Sequence, residues 1–320
     1  MRLRPFGLFL PLAAALLLLL GACTTARPVD PASRTIHIFD GSTGAPLGWS
    51  DVVARAGEAD ATFVGERHDD PTGHDVQLAV YEDLLALYPG TAIALEHLER
   101  NEQELLDRYL RGEVTMTPDA FIDATGSRNW AGADTWVRFF QPLVDTAREN
   151  DSPVIAANAP RELVRRARED GHDALDALPM PERAYFDIPV TSTGDAAWNA
   201  KWDAYYERFH ALMGGGDDST EERARTRFVF LSQSTWDGTM GASVANALAA
   251  GAPRVVMCAG CFHIERDGGT VLQFLARRPG ARALTITVVD SSSAELRRDD
   301  RGLADIVIYG FPVERRPRSE

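Results

Sequence analysis

Five short apolar runs punctuate the chain, and longer stretches with helical spacing separate them. The runs are Ala61-Thr62-Phe63-Val64-Gly65, Thr91-Ala92-Ile93-Ala94-Leu95-Glu96, Val154-Ile155-Ala156-Ala157-Asn158, Arg254-Val255-Val256-Met257-Cys258 and Leu284 to Val289. Each is apolar at odd and even positions alike, the pattern of a strand covered on both faces. Between the first two, Val76, Val80, Leu84 and Leu87 recur at helical spacing from Gly73 to Tyr88, and Pro89-Gly90 stops the helix. Further helices are predicted near 101–111, 117–124, 133–150, 160–170, 195–213, 219–250 and 268–277. Thr35 to Phe39 alternates as a short strand before the turn Asp40-Gly41-Ser42, and Ile306 to Tyr309 predicts an edge strand. Strands alternating with helices define an α/β fold: a mostly parallel central sheet flanked by helices. The helices between 159 and 250 form an excursion, or lid, before the fourth buried strand.

The first residues follow a different pattern. Arg2 and Arg4 precede an apolar run from Leu8 to Leu20 that only Pro11 interrupts, and Leu20-Gly21-Ala22-Cys23 sets small residues directly before a cysteine. Residues 1–22 therefore read as a secretory signal peptide, too short in its apolar part for a membrane span of about 20 residues. The tetrapeptide resembles the lipobox of bacterial lipoproteins, which implies cleavage before Cys23 and acylation there, palmitate included. Thr24 in place of Asp implies sorting to the outer membrane, on its periplasmic face. Residues 23–34, with Pro28 and Pro31, form a flexible tether, and 35–313 form one α/β domain.

Composition narrows the classes. At 45% hydrophobic and 25% charged residues the chain is globular. Its formal charge of −14 excludes bulk attraction to nucleic acid or anionic lipid. Besides Cys23 there are only Cys258 and Cys261, so no disulfide scaffold supports the fold. Their C-x-x-C spacing suggests redox chemistry, but Cys258 lies within a buried strand and reads first as a small hydrophobe, next as half of an adventitious disulfide.

The candidate chemistry sits at the carboxyl ends of the strands, where open α/β sheets bind ligands. The first buried strand ends Gly65-Glu66-Arg67-His68, the second in Glu96, the third Asn158-Ala159-Pro160-Arg161 and the fourth Gly260-Cys261-Phe262-His263. With 26 glycines and 7 histidines in 320 residues, one Gly-x-x-His match is unremarkable; two, both directly after buried strands, are less so. Glycine permits a positive φ and keeps the turn bare of a side chain, so each histidine can face the crevice. His68, His263, Glu66 and Glu96 would make a nitrogen and oxygen site suited to zinc, manganese or iron. Glu66 would be a general base if it reached a metal-bound water. His74, early on the following helix, is a candidate partner of His68. His37, His172 and His210 are expected on exposed surfaces.

These motifs resemble the ChaN family of haem-binding lipoproteins. The resemblance runs through Phe63 to Asp70, His74, Gln77, Ala94-Leu95-Glu96, Glu99-Arg100, Asn158 to Arg161, Gln233, Trp236-Asp237, Met240 and Ala259 to His263. It implies an α/β fold and a lipid-anchored protein of haem or iron uptake, with His68, His263, Glu66 and Glu96 lining the site and Asp237 and Arg161 beside them. It implies haem or a divalent metal as the ligand, and it allows a homodimer. The related Tiki-like and TraB-like proteins, which share two Gly-x-x-His motifs and an acidic residue, imply the alternative of a metal-dependent hydrolase or peptidase. Two positions depart from the family. His97 replaces an apolar residue and is expected to be a partly exposed polar substitution. Phe140 stands where relatives often carry tyrosine, the family's style of haem-iron ligand, so Tyr205 and Tyr206 become the substitute candidates, although their aromatic segment from Trp198 to Phe209 reads first as ordinary helix packing.

Overall fold

A computed structural model describes residues 36–310 apart from 129–132 and 215–217. The signal peptide, Cys23 and the tether lie outside the described residues, as do 311–313. Among the described residues, eight strands form one sheet in the order β2-β1-β8-β7-β3-β6-β4-β5. They are β1 (His37–Asp40), β2 (Pro46–Leu47), β3 (Ala61–Glu66), β4 (Ala92–Glu99), β5 (Val154–Asn158), β6 (Val255–Gly260), β7 (Ala283–Asp290) and β8 (Ile306–Gly310). β3 to β8 run parallel; β1 is antiparallel to β8, and β2 to β1. β8 lies inside the sheet with every residue buried. It is not the edge strand expected from its sequence, because β1 and β2 extend the sheet beyond it.

Side-chain alternation sorts the parallel strands between two cores. Val64, Leu95, Val256, Cys258 and Ile286 face one side and meet the helices Trp49–Glu58, Pro71–Leu87 and Gln141–Glu149. Phe63, Ala94, Met257 and Ala259 face the other and meet Met240 and Val244 of helix Thr220–Ala249, with Val271 and Phe274 of helix Gly269–Arg277. Both faces are thus covered, as the apolar runs require. The predicted excursion supplies this second layer: its 30-residue helix Thr220–Ala249, capped by Ser219, lies directly on the sheet, and helix Ala196–Met213 packs across it. Among the described residues no helix is long and apolar enough to cross a membrane.

Close packing of helix Thr220–Ala249 against helix Gly269–Arg277 depends on Gly241. A Cβ there would lie 2.6 Å from Gln273 Cβ and 2.7 Å from the Phe274 amide nitrogen. Gly241→Val should therefore destabilise the fold by about 1–3 kcal/mol, the usual cost of overpacking. An unchanged urea midpoint would show that the helices can part without penalty.

Topology also selects the working end of the sheet. From β3 the chain moves past β6 to β4; from β6 it moves past β3 to β7. The direction reverses between β3 and β6, the two strands that carry the Gly-x-x-His turns. That is a topological switch point, where parallel sheets open a crevice at their carboxyl ends.

Candidate functional site

The register places Glu66 of β3 opposite Gly260 of β6, so the two turns leave the sheet side by side. Neither glycine uses a positive φ, contrary to the expectation from sequence. Gly65 is needed for space, whereas a side chain on Gly260 would meet only ordinary contact distances. A Cβ on Gly65 would come within 3.2 Å of Cys261 Cα. One on Gly260 would stand among Glu96 Oε2, His68 Cε1 and His263 Cδ2, at 3.6–3.8 Å.

Alternation then divides the four predicted site residues into two clusters. Glu66 follows Val64 onto the first face; Glu96 follows Ala94 onto the second. On the first face the Glu66 carboxylate is fully buried and surrounded by imidazoles. His68 Nδ1 lies 2.9 Å from Oε1, His97 Nε2 3.1 Å from Oε1, and His74 Nδ1 3.2 Å from Oε2. Gln77 Nε2 donates to Oε2 at 3.1 Å. Helix Pro71–Leu87 supplies His74 and Gln77 three residues apart on one face, and Asp70, whose carboxylate accepts from the Thr72 amide, caps its start. Burial pushes the Glu66 carboxyl up, but His97, His68 and His74 outweigh it and hold the group well below the usual range. The hydrogen bond to Glu66 raises His68 in turn.

His97 was not recognised from sequence. It is fully buried, the opposite of the expected partly exposed substitution. β4 continues to Glu99, so His97 alternates with Leu95 onto the core face. Its ring lies 3.8 Å from that of Phe140. Phe139 stacks on His74 at 4.1 Å. Both phenylalanines end a π-helical turn, Trp136–Phe140. Pro142 has no amide to bond the carbonyl of residue 138, which favours the wider turn. Although His97 Nε2 is 3.1 Å from Glu66 Oε1, the pair is misaligned, and neither ring nitrogen has a hydrogen-bond partner among the described residues.

On the second face, Glu96 Oε2 accepts from the Gly260 amide at 2.6 Å, and its Oε1 lies 3.4 Å from His263 Nε2. His263 Nδ1 is 2.7 Å from Asp237 Oδ1, which also accepts from Thr270 Oγ1 at 2.8 Å. The Tyr205 hydroxyl donates to Asp237 Oδ2 at 2.6 Å and accepts from Gln233 Nε2 at 3.0 Å. Burial opposes charge on His263, but Asp237 and Glu96 outweigh it and push the imidazole up to about 10. Burial likewise opposes charge on Glu96, yet His263 and His97 bring it down to about 2. This cluster is a buried ion pair network.

The family described as haem-binding uptake, Tiki superfamily, ChaN, matches residues 52–274, which takes in every residue of both clusters. The chain belongs to the ChaN family. Among solved structures, ChaN of Campylobacter jejuni, titled for cofacial heme binding, is similar over 86% of this chain and 96% of its own, with a TM-score of 0.61 and 18% identity. The type III effector HopBA1 aligns over 81% of this chain and 91% of its own (TM-score 0.42, 11% identity). An erythromycin esterase, EreC, aligns over 86% and 83% (TM-score 0.41, 11% identity). No curated protein matches the chain. The Campylobacter protein shares the fold, and the ChaN assignment rests on the family match.

Within this ChaN fold several expected residues fall elsewhere. Tyr205 is fully buried with its hydroxyl committed to Asp237, and the Tyr206 hydroxyl donates to the Arg223 carbonyl; both belong to an aromatic core with Trp198, Trp202, Phe209 and Phe230. Neither can offer a phenolate to a ligand at the strand ends. Arg161 is placed beside Glu99, to which its amide donates at 3.2 Å, and not in either histidine cluster. Cys258 and Cys261 are free thiols; burial raises Cys258 far above its ordinary value and brings Cys261 up to about 11. The pair is therefore a poor source of thiolate. His210 is buried and His37 and His172 are half-buried, so none of the three is the exposed residue expected. Glu66, low in pKa and crowded by donors, is a weak proton acceptor for hydrolysis.

Proposed function

We propose that this protein is a lipid-anchored outer-membrane member of the ChaN family that binds haem or iron during uptake and offers His68 to its ligand. The family match across residues 52–274 carries the reading. The donor chemistry fits a haem at one residue. Imidazole is a common axial ligand of haem iron, and the His68 side chain is 54% exposed, whereas Glu66, His97 and Asp237 are sealed and His263 nearly so. Glu66 holds His68 Nδ1, which orients the ring and directs an incoming iron to the other nitrogen. When bound, haem would supply the iron; the chain supplies the ligand and its orientation.

Titration of the purified protein with haem should give a saturable Soret shift. His68→Ala should remove it, while His263→Gln, at a buried residue, should leave it in place. Haem binding undiminished in His68→Ala would sink this assignment. The anchor is tested separately. Cys23→Ser should abolish palmitate incorporation and move the protein from the membrane fraction to the soluble one.

A further inference from the structure

The expected site of His68, His263, Glu66 and Glu96 resolves into two adjoining groups around Gly260, and one of them gathers a compact ligand set. His263 is committed to Asp237 and faces Glu96 on the second face. Glu66, His68 and His97 remain on the first, each offering one ligand atom, and these atoms all lie within 4.8 Å of one another. We propose that Glu66, His68 and His97 bind a single divalent transition-metal ion, a site separate from any haem held by the outer nitrogen of His68.

Three observations carry this. The first is His97 itself: a fully buried imidazole with no hydrogen-bond partner on either nitrogen among the described residues, its Nε2 3.1 Å from a carboxylate with which it is misaligned. A buried polar group without a partner is costly, and a metal ion would give Nε2 one. The second is spacing. Ligands about 2.1 Å from a metal and at right angles to one another lie about 3.0 Å apart. Glu66 Oε1 stands 2.9 Å from His68 Nδ1 and 3.1 Å from His97 Nε2. Each imidazole nitrogen thus stands from the carboxylate oxygen at the separation of neighbouring positions in an octahedral shell, and the two nitrogens lie within 4.8 Å of each other. The third is support behind the donors. Gln77 holds the second Glu66 oxygen, and Phe140 packs against the His97 ring, so carboxylate and imidazole are fixed before any ion arrives.

Two imidazoles and one carboxylate with open positions suit ferrous iron among divalent ions, with zinc and manganese also accommodated. Binding replaces the His68 Nδ1 proton with the ion, and the proton leaves to solvent. The half-exposed His68 ring is the side from which the ion would enter.

Cobalt(II) is the test probe, because its d–d absorption reports nitrogen and oxygen ligation directly. Protein purified without chelator and then titrated with Co²⁺ should bind one equivalent. His97→Leu should weaken that binding by more than about 10-fold while leaving the haem Soret shift intact. Wild-type protein that gives no cobalt signal, or His97→Leu that binds cobalt as wild type does, would overturn the proposal. If circular dichroism shows that His97→Leu is unfolded, His68→Ala decides, since its side chain is largely outside the core: lost cobalt binding supports the site and retained binding overturns it. Cobalt binding without a haem shift would sink the haem reading alone; a haem shift without cobalt binding would sink this one alone.

Discussion

Asp237→Ala should cost about 3–5 kcal/mol of stability, the range for removing one partner of a buried ion pair, and lower the melting temperature by on the order of 10 °C. The carboxylate is fully buried and accepts from three separate elements: His263 after β6, Thr270 at the start of helix Gly269–Arg277, and Tyr205 of helix Ala196–Met213. Removing it takes the shared acceptor from one buried imidazolium and two hydroxyls, leaving His263 with Glu96 alone as a charged partner. Asp237→Asn, which keeps an acceptor oxygen and loses the charge, should fall between wild type and alanine. Tyr205→Phe should lose far less, since it deletes the donor as well as its need. Thermal and urea unfolding of the three variants would measure the order. A loss below about 1 kcal/mol for alanine would mean that Asp237 is not the hub of this network.

Much of the scaffold was legible because parallel strands covered on both faces leave a strong trace. Ala61 to Gly65 and Val154 to Asn158 lie where the apolar runs placed them, and the spacing from Gly73 to Tyr88 returned as helix Pro71–Leu87. The position of the site was legible for the same reason: polar residues that end buried strands collect at one rim. The membership of each cluster was not. His97 was missed because the second strand was ended at Glu96, which put the next residue in a loop; the period-2 alternation of Ile93, Leu95 and His97 was the available signal. The division between Glu66 and Glu96 depends on the face each strand turns outward, which is set by register across β6 and is invisible in either motif alone. Tyr205 and Tyr206 pack in the core, as an aromatic helix stripe suggests, but the hydrogen bond that commits Tyr205 was not legible, because its partner Asp237 is 32 residues away on another helix.

Raising the pH should expose the second cluster's electrostatics. His263 is raised from its ordinary 6.5 to about 10 in the folded protein. A group with a raised folded pKa contributes stability that is fully present below its unfolded value, near 6.5, and is lost as pH rises through its folded value, near 10. Across that window the unfolded chain has released the proton while the folded chain still holds it, so stability falls by about 1.4 kcal/mol per pH unit from this group. Glu96 acts at the other end of the scale: lowered to about 2, its contribution is present above about 4.5 and lost as pH falls through 2. The alkaline slope therefore belongs to His263 and not to its partner. Urea unfolding of wild type and His263→Gln at intervals from pH 6 to pH 10 separates it from the tyrosines and other groups common to both proteins. Glutamine can still donate a hydrogen bond to Asp237 but carries no titrating charge. The stability gap between the two proteins should be widest near pH 6 and shrink steadily toward pH 10. A gap that stays constant would mean that His263 is held neutral, and that Asp237 and Glu96 bind it through hydrogen bonds without the ion pairing that the 2.7 Å contact supports.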